Sequence, residues 1–181
     1  MNGKNKFIAL SALIAALYAV LTYAQNFILP GTATMAVQFR VSEALNVLAL
    51  FTPAAIPGLT LGCVIANIYS IGSGLPLDMI FGSVATLGAT TCMWLLRNVK
   101  TGKYPLPAML MPAVWNGIII GWEIEHFFIE GPFEWAGFLT QGGFVALGEL
   151  AVMLTLGSIL YFVIIKRGFD KKLLSAKNTV N

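Results

Sequence analysis

Residues 37–62 read VQFRVSEALNVLALFTPAAIPGLTLG. Arg40, Glu43 and Asn46 fall at three-residue steps inside this otherwise apolar run. On a helix that spacing lines the three polar groups along one face. A charge held in or beside hydrocarbon costs several kcal/mol unless it is paired or lines a cavity. The face is therefore expected to touch a polar ligand or to close a buried ion pair. The plainer alternative is an Arg40–Glu43 pair at the outer membrane interface, with Asn46, a turn deeper, bonded to a neighbouring helix.

The surroundings set the class. The chain has 181 residues, of which 57% are hydrophobic and 10% charged, against about 25% charged in a soluble domain. Mean hydropathy is +0.80. These values predict an all-α integral membrane protein, one domain over 1–181, with about five to seven helices of roughly 20 residues each. The net charge of +3 comes from the chain ends and one loop. That is no nucleic-acid-binding face, and no nucleic-acid partner is expected. Cys63 and Cys92 lie in apolar stretches without metal-ligand or redox spacing, so both read as small core residues, and no metal or cofactor is expected. Lys4 and Lys6 precede an apolar run, Phe7 to Ala24. It is longer than a signal-peptide core and has no good cleavage site, so a retained first span is expected.

Six spans follow. They cover about Phe7–Tyr23, Val41–Phe51, a third from Pro57-Gly58 to near Ile71, Leu77–Leu96, Pro107–Trp122 and Gly137–Ile165. Pro30-Gly31, Thr52-Pro53 and Gly72-Ser73-Gly74-Leu75-Pro76 punctuate them. Basic residues mark the N-terminus, the loop with Arg97, Lys100 and Lys103, and Lys166-Arg167. With six spans all three places fall on one side, which the positive-inside rule makes cytoplasmic.

Several polar residues stand out against this background. Asn116 and Glu123 are seven apart and share a helix face, and Trp115 and Trp122 lie on an adjoining stripe. An aromatic face beside an amide and a carboxylate suits a flat heterocycle, although tryptophans near a membrane surface are usually anchors. Glu149 is the sole charge in a long apolar run, and an intramembrane carboxylate marks a functional site by default. Asp78 opens span four, as a helix-start anion or a site residue. His126 reads as solvated. Gly117 and Gly121 form a GxxxG for packing. In span one Ser11, Ala12, Ala15, Ala16 and Ala19 form small-xxx-small pairs, for packing or for docking a membrane partner. No phosphate-binding GxxxxGK[ST], HExxH, CxxC or GxSxG occurs, so no ATPase or enzyme constellation can be assembled.

Gln38-Phe39-Arg40-Val41-Ser42-Glu43-Ala44-Leu45 with Phe51-Thr52-Pro53-Ala54-Ala55-Ile56-Pro57-Gly58-Leu59 resembles the QueT family of queuosine-precursor transporters. Leu77-Asp78, Phe81-Gly82-Ser83, Asn116, Gly121, Glu123 and Val145-Ala146-Leu147-Gly148-Glu149 extend the likeness over about residues 8–165. The resemblance implies a substrate-binding S component of an energy-coupling factor (ECF) transporter in a bacterial plasma membrane. That means a six-helix bundle with both termini cytoplasmic and the small-molecule site in the outward half. It implies a transmembrane coupling protein and two ATPases as partners, with Ala12, Ala15, Ala16 and Ala19 docking the coupling protein. It also implies toppling in the bilayer and a loop at about Gln25 to Gln38 closing over the substrate. The implied substrate is a 7-deazaguanine: the aminomethyl or cyano form, or queuine. Glu43, Glu123 and Glu149 suit its N–H donors, Asn116 its carbonyl edge, and Trp115 or Phe39 its ring. The outer loop at Glu123–Trp135 departs from the pattern in being long and acidic.

Two other readings stay open. One keeps the architecture with another nucleobase or a vitamin as substrate. The other is a self-sufficient transporter with Glu149 as proton carrier.

Overall fold

The computed structural model describes residues 3–30, 39–72 and 77–172. Residues 73–76 of the expected tight loop and most of the expected lid, 31–38, lie outside the described residues. Helix α1 spans Gly3–Ile28. A 3₁₀ segment follows at Val41–Leu50, then α2 at Ala55–Gly72 and α3 at Asp78–Leu96. Beyond a basic loop come α4 (Leu106–Met109), α5 (Met111–Glu123), α6 (Trp135–Val152), α7 (Ser158–Arg167) and α8 (Phe169–Lys172). π-helical turns at Ile124–Phe128 and Met153–Gly157 extend α5 and join α6 to α7. Among the described residues there is no strand, only an isolated bridge between Thr101 and Tyr104.

The second expected span is a 3₁₀ helix and not an α-helix. Ten residues at about 2.0 Å each give about 20 Å, against a hydrocarbon core of about 30 Å. At 3.0 residues per turn, positions i and i+3 eclipse, so Arg40, Glu43 and Asn46 stand in one line. The fifth expected span is broken at Leu110. Pro112 has no N–H for the helix ladder and its ring crowds the carbonyl four residues back, so the short turn α4 ends before α5 begins.

Small residues set the close contacts. α1 and α2 run side by side in the same direction: Ser11 Oγ donates to Ala54 O at 2.9 Å, and a Cβ on Gly62 would lie 2.9 Å from Ala15 O. α5 and α6 cross at Gly117, Gly121 and Gly142, where a Cβ on Gly121 would meet Gly142 Cα at 2.5 Å. The GxxxG is thus a packing motif, as expected. The core gathers Tyr18, Val47, Leu59, Met93, Met109 and Met153 from six elements.

Among the described residues three helices are long and apolar enough to cross a membrane: Gly3–Ile28, Asp78–Leu96 and the composite Trp135–Arg167. Their outer faces carry exposed Leu13, Val20, Leu87, Leu147 and Phe162. Among the described residues α1, the 3₁₀ segment, α2, α3, α4–α5 and α6–α7 pack together into one helical bundle. One end of the bundle gathers the start of α1, the Arg97–Lys103 loop and the end of α7, hence the basic residues. The other gathers the end of α1, Arg40, the start of α3 and the end of α5.

Candidate functional site

At that second end a polar cluster is sealed inside an apolar protein. The end of α1 fixes its entrance. Gln25 donates from Nε2 to the carbonyl of Phe39 and accepts at Oε1 from Val41 N at 2.8 Å, so one side chain holds the backbone on both sides of Arg40. Arg40 Nη2 then pairs with Asp78 Oδ2 at 3.2 Å, both side chains buried. The ion pair formed is therefore not the alternative Arg40–Glu43 one: the guanidinium reaches across to the start of α3. Asn67 Nδ2 pins that start by donating to Asp78 O at 2.9 Å.

One 3₁₀ turn beyond Arg40, Glu43 is engaged on both oxygens. Tyr18 donates its phenol to Oε1, and Asn46 Nδ2 donates to Oε2 at 2.6 Å. Thr22 Oγ1 donates to Ser42 Oγ at 2.7 Å alongside. Because a carboxylate only accepts, Asn46 must turn its NH₂ toward Glu43, which leaves Asn46 Oδ1 facing elsewhere.

Glu149 from α6 lies within electrostatic range of Glu43 and Arg40, and Glu123 at the end of α5 within range of Asp78 and Arg40. Arg40 is thus the common neighbour of four carboxyls supplied by four elements. Glu123 is 1% exposed and Glu149 3%. Among the described residues, both oxygens of Glu123, Oε2 of Glu149 and Oδ1 of Asn46 have no hydrogen-bond partner. Leaving such atoms buried and unbonded is costly, about 1–3 kcal/mol each and more for a charged group. Protein interiors satisfy nearly all buried polar groups, so four orphans in one cluster call for an explanation. Each orphaned carboxylate also adjoins a π-helical turn, Ile124–Phe128 after Glu123 and Met153–Gly157 after Glu149, a distortion frequent at functional sites. Chemically the cluster can accept hydrogen bonds and hold a cation.

Comparison with known proteins agrees with this picture. The profile of the family described as QueT transporter matches residues 8–166. The chain belongs to the QueT transporter family. A curated relative, the queuosine precursor transporter QueT of Lactococcus lactis subsp. cremoris (strain MG1363), is 32% identical over 156 residues, covering 83% of this chain and 87% of the relative. No solved structure matches the chain.

Within this QueT-family fold the other expected site residues scatter. Asn116 is buried on the same face of α5 as Glu123, with Nδ2 donating to Pro112 O at 3.0 Å. Trp115 is not placed to stack in the cluster. Its ring fills the space over Gly88, where a Cβ would lie 2.5 Å from it, and its Nε1 donates to Cys92 Sγ at 3.4 Å. Trp122 is 38% exposed, between Phe81 and His126, the latter ring parallel at 4.9 Å. His126 is exposed, as expected, while stacked on that tryptophan. Phe39 is also exposed, at the entrance. The alanine set splits: Ala12 and Ala16 are exposed, whereas Ala15 and Ala19 are buried inside the bundle. The correction follows from helix geometry, since a four-alanine set spans more than one face.

Some buried polar residues of the bundle carry little signal in the sequence. Tyr18, Thr22, Gln25, Ser42 and Asn67 are single polar groups in apolar helices; only their spacing on α1, four then three apart, hints at a polar seam. Glu125 is another: buried, it accepts from Glu134 N at 3.2 Å, and a Cβ on Gly137 would collide with it. It is a fixed anion at the start of α6, where the helix dipole favours one. The long acidic loop is thus partly a helix cap.

Proposed function

We propose that this chain is the substrate-binding S component of an ECF-type uptake transporter and binds a queuosine precursor, a 7-deazaguanine, in the buried polar cluster. The observation that carries the reading is the set of four acceptor atoms on Asn46, Glu123 and Glu149 without partners inside the bundle. A guanine-like ring presents adjacent N–H donors that such acceptors take in pairs. The name of the Lactococcus relative supports the same substrate.

In this reading the chain crosses the bacterial plasma membrane six times with both termini in the cytoplasm. The basic end of the bundle is then cytoplasmic, and the cluster opens outward. ATP hydrolysis occurs on two partner ATPases, joined through a transmembrane coupling protein. The exposed Ala12 and Ala16 form part of the docking face, because small residues allow close helix approach in lipid.

Native mass spectrometry of gently purified protein tests the substrate, and uptake of labelled 7-deazaguanine with and without the ATPase module tests the coupling. Co-purification of a 7-deazaguanine and strict dependence on the module are expected. Uptake that persists without the module and collapses with a protonophore would overturn the ECF assignment in favour of a proton-coupled carrier.

A further inference from the structure

Among the described residues, every buried side-chain nitrogen or oxygen left without a hydrogen bond is an oxygen. Four of the five lie in the polar cluster; the fifth, Asp170 Oδ1, lies at the opposite end of the bundle, on α8. All four can accept: the two carboxylates, when ionised, accept only, and the NH₂ of Asn46 is already spent on Glu43. The cluster thus asks its ligand for donors and offers it none of these atoms as a donor.

The charge census points the same way. Glu43, Asp78, Glu123 and Glu149 are buried together with one guanidinium, Arg40, whose direct partner is Asp78. Glu43 is held by neutral donors, Tyr18 and Asn46, which satisfy its oxygens without cancelling its charge. A neutral ligand would leave this surplus of carboxyls in a low-dielectric interior, where uncompensated charge is expensive or is quenched by protonation. A cationic ligand removes part of it.

The orphans also divide between two places. Glu149 lies within electrostatic range of Glu43, which Asn46 bonds, whereas Glu123 lies at the end of α5 that packs on the start of α3 through Trp122 and Phe81, 5.6 Å apart, within electrostatic range of Asp78. One open carboxylate oxygen with an amide oxygen suits the two adjacent N–H groups of a ring edge. A carboxylate with both oxygens open beside a second carboxyl suits an ammonium, which has three donors and a compact charge. We propose that the site selects the protonated aminomethyl form of the 7-deazaguanine over uncharged forms, holding the ammonium at Glu123 beside Asp78 and the N–H edge at Glu149 and Asn46 Oδ1. This rests on the function proposed above and assigns its charge selectivity.

Calorimetry on the purified full-length protein, with the aminomethyl and the cyano compounds, decides the matter. Wild type should bind the aminomethyl compound roughly tenfold to a hundredfold more tightly, the worth of one charge-assisted bond. Glu123→Gln should erase that preference by weakening the aminomethyl compound alone. Glu149→Gln should weaken both compounds together. Equal binding of the two by wild type, or an equal loss of both in Glu123→Gln, overturns the selectivity and leaves the transport reading standing. Failure of wild type to bind either compound overturns the transport reading, and this inference with it. The wild-type comparison decides by itself should a variant not fold.

Discussion

Asn46 donates to Glu43 at 2.6 Å across a single turn of 3₁₀ helix, with both side chains buried. Tyr18, from α1, closes the carboxylate's other oxygen. Residues 25 positions apart in the chain, one on α1 and one on the 3₁₀ segment, are thereby joined through one carboxylate. Tyr18→Phe keeps the ring and removes the donor, leaving a buried charged acceptor unbonded. The expected loss is about 1–3 kcal/mol, read as a lower thermal midpoint of the detergent-purified protein. Asn46→Asp should lower it further, since it sets two carboxyls facing each other on one 3₁₀ line. An unchanged midpoint in Tyr18→Phe would mean that the phenol is not Glu43's donor.

The Arg40–Asp78 pair joins the 3₁₀ segment to α3. Removing one member strands a buried charge, at a cost of about 3–5 kcal/mol. Arg40→Met should therefore destabilise strongly, and adding Asp78→Leu should recover part of the loss. A coupling above about 0.5 kcal/mol in the double-mutant cycle is expected. Strictly additive losses would show that the pair does not hold in the folded protein.

Gly142 and Gly143 are neighbours on α6 with opposite surroundings. A Cβ on Gly142 would lie 2.5 Å from Gly117 O, whereas a Cβ on Gly143 meets nothing within 4 Å. Gly142→Ala must push α5 and α6 apart, at about 1–3 kcal/mol for an overpacked contact. Gly143→Ala should be neutral or stabilising, since alanine is the better helix former by about 1 kcal/mol. Equal thermal midpoints for the two variants would contradict the α5–α6 crossing.

How far the sequence spoke depends on the kind of signal. The three-residue steps of Arg40, Glu43 and Asn46 are visible in the chain, and the structure puts all three side chains in the buried cluster. Their period of three also matches a 3₁₀ helix, but it matches the i, i+3 neighbours of an α-helix as well, so the helix type could not be read. The partner of Arg40 was not legible, because the choice between Glu43 and Asp78 depends on how the 3₁₀ segment packs against α3. The direction of Trp115 was hidden for a related reason: an aromatic residue one position before Asn116 points about 100° away from it, here toward Gly88. The isolation of Glu149 in an apolar run marks it in the sequence, since an unpaired carboxylate in such a run has few bland explanations, and the structure buries it.

The bundle's two ends differ in charge, which fixes an orientation to be checked. Lys100 sits in the exposed basic loop and Glu130 in the exposed loop between α5 and α6, at the opposite end. With single cysteines in a background lacking Cys63 and Cys92, an impermeant maleimide should label position 130 in intact cells. Position 100 should react only after permeabilisation. Labelling of position 100 from outside would invert the proposed topology.

The split of the alanine face gives a test that separates folding from coupling. Ala15 is buried, and its backbone carbonyl would lie 2.9 Å from a Cβ on Gly62. Ala16, one residue on, is exposed on the same side of α1 as Ala12. Ala15→Trp has no room for an indole without driving α1 off α2, so it should fail to yield monodisperse protein on size exclusion. Ala16→Trp places the indole outside the bundle and away from the polar cluster. It should therefore fold and bind substrate with wild-type affinity by calorimetry. A bulky ring there still prevents the close helix approach that small residues permit in lipid, so uptake of labelled substrate in cells carrying the ATPase module should fall to background. Full uptake by a well-expressed Ala16→Trp protein would place the coupling protein on another face.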